Sequence, residues 1–85
     1  MYVVTQSNKV INFDNCIRAE IHKLGPSSVF QQYELRLLST IDNYTVYTGS
    51  KEDVESALHN FCEALAKGAT LISYSEVYND NMCGN

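Results

Sequence analysis

Residues 50–68 read S-K-E-D-V-E-S-A-L-H-N-F-C-E-A-L-A-K-G, a string that carries both a start and a stop signal for one amphipathic helix. Ser50 followed by Asp53 fits the capping pattern in which a serine hydroxyl accepts from a free backbone N–H while the acid three residues on reaches back. Glu52, Asp53 and Glu55 put negative charge in the first turn and Lys67 puts positive charge in the last, as the helix dipole favours. Gly68 suits the left-handed position that ends a helix. Between these signals Val54, Ala57, Leu58, Phe61 and Leu65 recur at helical spacing and form one apolar stripe, with Glu55, Asn60, Glu63 and Lys67 mostly off it. An isolated helix of this length is marginal in water. The stripe therefore predicts burial against a sheet, each large side chain on it contributing about 1.5–3 kcal/mol when fully buried.

The sheet has to come from the residues before the helix. Residues 2–6 (Y-V-V-T-Q) are β-prone and close on the polar turn Ser7-Asn8-Lys9; residues 10–13 resume the pattern, so the two runs read as a hairpin. In residues 16–24, Ile17, Ala19 and Ile21 alternate with Arg18, Glu20 and His22, the period-two pattern of a half-buried antiparallel strand. Gly25-Pro26-Ser27-Ser28 then predicts an exposed loop. Tyr33, Leu35 and Leu37 alternate with Glu34 and Arg36, and Asp42-Asn43 signals a turn before the aromatic and β-branched run 44–48. Residues 71–78 read as a last strand, a short helix or an arm exchanged with another copy. The expected fold is α+β: an antiparallel meander of about five strands with one helix across a face and room for an extra C-terminal strand. Residues 1–78 form the expected single domain and 79–85 a flexible tail.

At 85 residues the chain supports one core and leaves little for a separate catalytic cleft. The net charge is −4, and the six basic residues Lys9, Arg18, Lys23, Arg36, Lys51 and Lys67 are scattered, which argues against direct nucleic-acid binding. No apolar run approaches the ~18 residues a membrane span needs. The first residues lack the basic and long apolar regions of a signal peptide. Cys16, Cys62 and Cys83 are odd in number and lack framework spacing, which fits free thiols in a reducing cytoplasm.

No motif carries recognisable chemistry. His59 and Cys62 are three apart on the helix but match no zinc spacing, and Cys62 is expected to pack beside the stripe as a small hydrophobe. Gly25, Gly49, Gly68 and Gly84 form no phosphate loop. The expectation is a non-enzymatic protein with no metal and no cofactor. The tyrosines are more informative, because Tyr2, Tyr44, Tyr47, Tyr74 and Tyr78 exceed what a small core holds. Exposed aromatic residues are enriched at interfaces, although cross-strand pairing uses them as well.

The strings V-V-T-Q at 3–6 and I-N-F-D-N at 11–15, followed by a longer strand, resemble a group of small uncharacterised proteins of Gram-positive bacteria and their phages. The layout over the first 68 residues is similar, and the tail from Ala69 departs from it. The resemblance implies a cytoplasmic setting and carriage on a mobile element, and it supplies no residue roles. Together these readings predict a small module that binds a protein partner and inhibits or modulates a host macromolecule, for example as an anti-defence inhibitor. Tyr44, Tyr47, Tyr74 and Tyr78 are the expected anchors, with Glu52, Glu55 and Glu63 offering charge to a basic partner. The alternative is a small-ligand site at a homo-oligomer interface, lined by Asn12, Asp14 and Arg18; a purely structural homo-oligomer is a third reading.

Overall fold

The computed structural model describes residues 1–24 and 32–76. In chain order the elements are β1 (Tyr2–Val4), β2 (Val10–Asn12), a 3-10 turn (Phe13–Asn15), β3 (Arg18–Lys23), β4 (Tyr33–Leu38), β5 (Asn43–Gly49), α1 (Lys51–Ala66) and β6 (Leu71–Ser73). The α+β class is as expected. The five-strand meander is not what forms. The strands divide into two three-stranded sheets, β2-β1-β6 and β3-β4-β5. The break falls after β2, where the Asn12 side chain accepts from the Asp14 N–H at 3.0 Å and caps the 3-10 turn. That turn redirects the chain, so β3 pairs with β4 rather than with β2.

The segment whose form the sequence left open becomes β6. It runs parallel to β1, with Tyr2 opposite Leu71 and Val4 opposite Ser73. Parallel partners need a crossover connection, and here the route between sheets passes through α1. Tyr2 N–H donates to the Thr70 carbonyl and Tyr74 N–H to the Val4 carbonyl, both at 2.8 Å, so the pairing extends past the strand at each end. Residues 77–85, including Tyr78, Cys83 and the expected tail, lie outside the described residues, as does the expected loop at 25–28.

The helix forms between its start and stop signals, although only Glu52 and Asp53 of the three acids lie in the first turn and Lys67 is the C-cap, not a last-turn residue. Ser50 Oγ accepts from the Asp53 N–H at 3.2 Å. At the other end Gly68 takes φ of 71°, and the N–H groups of Gly68 and Ala69 donate to the Leu65 and Ala64 carbonyls. These two bonds satisfy carbonyls that a helix end otherwise leaves free. Val54, Ala57 and Phe61 are buried and Leu58 is half-buried. Leu65 departs from the expected stripe: it is 44 % exposed and lies in the last turn, one residue from the helix end. Cys62 is exposed, so it does not pack beside the stripe as expected.

The core lies between α1 and the sheets. Leu35 and Leu37 from β4, Val46 from β5 and Val3 from β1 are fully buried with Val54 and Phe61. Phe13 from the 3-10 turn meets Phe61 edge-on, with centroids 4.9 Å apart and planes at 88°. The opposite face of β3-β4-β5 is polar. Glu34 is buried there, paired with Arg36 Nε and accepting from Thr45 Oγ1 at 3.2 Å. A buried carboxylate requires such partners. Gln6 hydrogen-bonds the two sheets together: its N–H donates to the Val46 carbonyl at 2.8 Å, and Thr48 N–H donates to Gln6 Oε1 at 3.0 Å. No helix among the described residues is long and apolar enough to cross a membrane.

Candidate functional site

The helix flank between its buried stripe and its solvent face carries Asp53, Ala57 and Asn60, spaced four and three residues apart, with Ser56 beside them. Tyr47 from β5 and Tyr74, just past β6, stand against this flank. The six residues enclose a cleft of about 180 Å³.

Each wall of the cleft has a structural cause. The Tyr74 hydroxyl donates to the Ala57 carbonyl at 2.7 Å, which fixes the ring across the helix. Burial, with a smaller contribution from the nearby Cys62, pushes the Tyr74 hydroxyl well above the usual tyrosine pKa, so it stays a donor. The rings of Tyr47 and Tyr74 lie 5.8 Å apart and are tilted by 57°. Gly49 permits the approach of the Tyr47 ring to the helix start. A Cβ at position 49 would stand 3.3 Å from Tyr47 Cε1 and 3.4 Å from Asp53 Cβ, tighter than most such contacts.

Asp53 is the charged group of the cleft. Its backbone N–H is capped by Ser50, but its carboxylate does not return the bond that the capping pattern predicts. Among the described residues this carboxylate has no hydrogen-bond or ion-pair partner. Asp53 lines the cleft together with Tyr47, Tyr74, Ser56 and Asn60. A carboxylate, neutral acceptors and aromatic rings are the groups that receive a cation, since a ring face attracts positive charge.

Comparison of this chain with protein-family models, with curated proteins and with solved structures returned no match. The reading of the site therefore rests on its geometry.

The expected anchors separate. Tyr47 and Tyr74 come together in the cleft; Tyr44 lines a different groove, on the edge of β5; Tyr78 is outside the described residues. Glu52, Glu55 and Glu63 are exposed on α1. By the helical repeat, Glu52 and Glu63 flank Ser56 on the solvent side of the cleft, while Glu55 falls on the other flank. Glu63 faces His59 Nε2 at 3.2 Å.

The residues expected for a ligand site serve local structure. Asn12 caps the 3-10 turn, Asp14 accepts the Met1 ammonium at 3.1 Å, and Arg18 Nε meets Glu20 at 2.8 Å. Neither the cleft nor the β5 groove includes any of the three. Asp53, Ser56 and Asn60 were not singled out as site residues. Their signal in the sequence is a polar row adjoining the apolar stripe, and the cap pattern explains Asp53 without a site. Among the described residues no group of His, Cys, Asp or Glu is placed to hold a metal ion.

Proposed function

We propose that this chain is a small non-enzymatic binding module that receives a cationic side chain of a protein partner in the Tyr47–Tyr74–Asp53 cleft. The observation that carries this reading is that Asp53, whose carboxylate has no partner among the described residues, lines one cleft with two packed tyrosine rings. Glu52 and Glu63 add negative charge along the same side, and the net charge of −4 favours approach by a basic segment. A guanidinium suits the site better than an ammonium, because it is planar, stacks on rings and donates to several acceptors at once. The resemblance to small proteins of Gram-positive bacteria and their phages is consistent with a cytoplasmic host macromolecule as the partner, inhibited or modulated by the contact.

Titration with short end-blocked peptides carrying one arginine, followed by amide shifts, tests the reading. Shifts are expected at Tyr47, Asp53, Ser56 and Asn60, smaller with lysine and none with glutamate. In Asp53→Asn and Tyr47→Ala the arginine peptide should bind about tenfold more weakly. Equal affinity of both variants and the parent would remove the cleft from the account.

A further inference from the structure

The larger groove, about 380 Å³, lies between the start of β5 and the run ending in β2. Asn43, Tyr44 and Thr45 line one side and Lys9, Val10 and Ile11 the other. Successive strand residues point to opposite faces of a sheet. Both parities of each strand line this space, so it runs along two strand edges rather than over a face.

The hydrogen-bond phase agrees. Ser39 N–H donates to the Asp42 carbonyl at 2.8 Å. From there the alternation of the antiparallel ladder makes Tyr44 pair inward with Leu37, and directs the N–H and C=O of Asn43 and Thr45 away from β4. On the other wall, Phe13 N–H donates to the Met1 carbonyl at 2.8 Å and Thr5 N–H to the Lys9 carbonyl at 2.7 Å. Lys9 and Ile11 thus pair toward β1, and Val10 directs its backbone groups outward. Val10, Asn43 and Thr45 are all exposed. The Gln6 bonds to Val46 and Thr48 bind the two sheets together along this same β5 edge.

We propose that this groove accepts one extended peptide segment of a partner, added as a strand to the β5 edge. An open edge is a template for pairing with another chain. Here the template faces a second strand edge across a groove, so a single extended chain fits where the edge strand of a folded second copy is kept out. Lys9 is the charged residue of the lining, and among the described residues it has no carboxylate partner. The segment therefore carries an acidic side chain toward Lys9 and, two positions along on the same face, an apolar one toward Ile11 and Tyr44. This surface shares no lining residue with the Tyr47–Tyr74 cleft.

A displayed library of random peptides of about seven residues, the length of an ordinary strand, selected against the whole chain, tests the proposal. Selected peptides should be enriched in Asp or Glu two positions from an apolar residue. They should slow exchange of the Asn43 and Thr45 amides by at least about tenfold. Asn43→Pro removes an outward N–H at the first strand position, where proline is tolerated, and should weaken binding about tenfold. Lys9→Glu, which does not touch the ladder, should weaken the acidic peptides by a similar factor and keeps the test valid if the proline variant does not fold. Binders that map to the Tyr47–Tyr74 cleft would overturn the proposal while supporting the cation-binding reading. Failure to select any binder would overturn it, as would affinity unchanged in Lys9→Glu. Protection of Asn43 and Thr45 that rises with protein concentration alone would assign the groove to a second copy and overturn it too.

Discussion

The two sheets are built to different specifications. In β3-β4-β5 the strands run six or seven residues, one face is covered by α1, and the other is satisfied by the buried Glu34 with Arg36 and Thr45. In β2-β1-β6 each strand has three residues, Val3 faces the core, and the outer face carries exposed Tyr2, Val10 and Leu71. The longer sheet is closed by its own side chains. The shorter one is held by what the helix brings to it: Phe61 packed on Phe13, and β6 delivered to the far side of β1. Strands of three residues are at the short end of the usual range. The comparison teaches that α1 serves as a core element for one sheet and as the crossover that completes the other.

Removing the side chain common to both regions should have the largest effect. Phe61→Ala should cost about 3–5 kcal/mol, with urea unfolding still a single transition because both sheets depend on it. Two separated transitions would show that the sheets are independent. The next test weighs the closed polar face. Glu34→Ala leaves the Arg36 guanidinium and Thr45 hydroxyl short of a partner, and should cost about 1–3 kcal/mol by the same measurement. A neutral or stabilising result would show that this face contributes nothing to the contrast.

Tyr74→Phe probes the link between the helix and the end of β6. It should cost about 1 kcal/mol near neutral pH through loss of the bond to the Ala57 carbonyl. It should also change the alkaline limb. Burial raises the Tyr74 pKa in the folded state, so its contribution is fully present below the ordinary tyrosine value of about 10 and is lost as pH rises through the folded value. Relative to the parent, the Phe variant should therefore lose less stability on going from neutral to strongly alkaline pH. An identical pH dependence would mean that the Tyr74 hydroxyl is hydrated. The smallest effect belongs to the open face: Val10→Thr should change stability by less than about 0.5 kcal/mol, since Val10 is 66 % exposed.

The same contrast explains what the sequence made legible. The extent of the helix was readable because Ser50, the stripe from Val54 to Phe61 and Gly68 are local signals. Strand β4 was readable because Leu35 and Leu37 alternate with Glu34 and Arg36. The hairpin of β1 and β2 was readable from its turn. The division into two sheets was not, because strings as short as those at 2–4 and 71–73 state a β preference without naming a partner, and partner choice is settled by contacts distant in sequence. Leu65 satisfied the helical spacing yet lies 44 % exposed, since periodicity does not say where the covering sheet ends. Tyr47 and Tyr74 were legible as interface candidates. Asp53 was not, because a cap and a free carboxylate look alike until the missing return bond to Ser50 is seen.

Amide hydrogen exchange on the free chain tests the two-sheet account most directly. The account predicts slow exchange at Val3, Leu37 and Tyr44, which lie within ladders, and fast exchange at Val10, Asn43 and Thr45, whose backbone groups face the open groove. Slow exchange at all six, persisting at low protein concentration, would mean that β2 and β5 are joined in one continuous sheet and would contradict it.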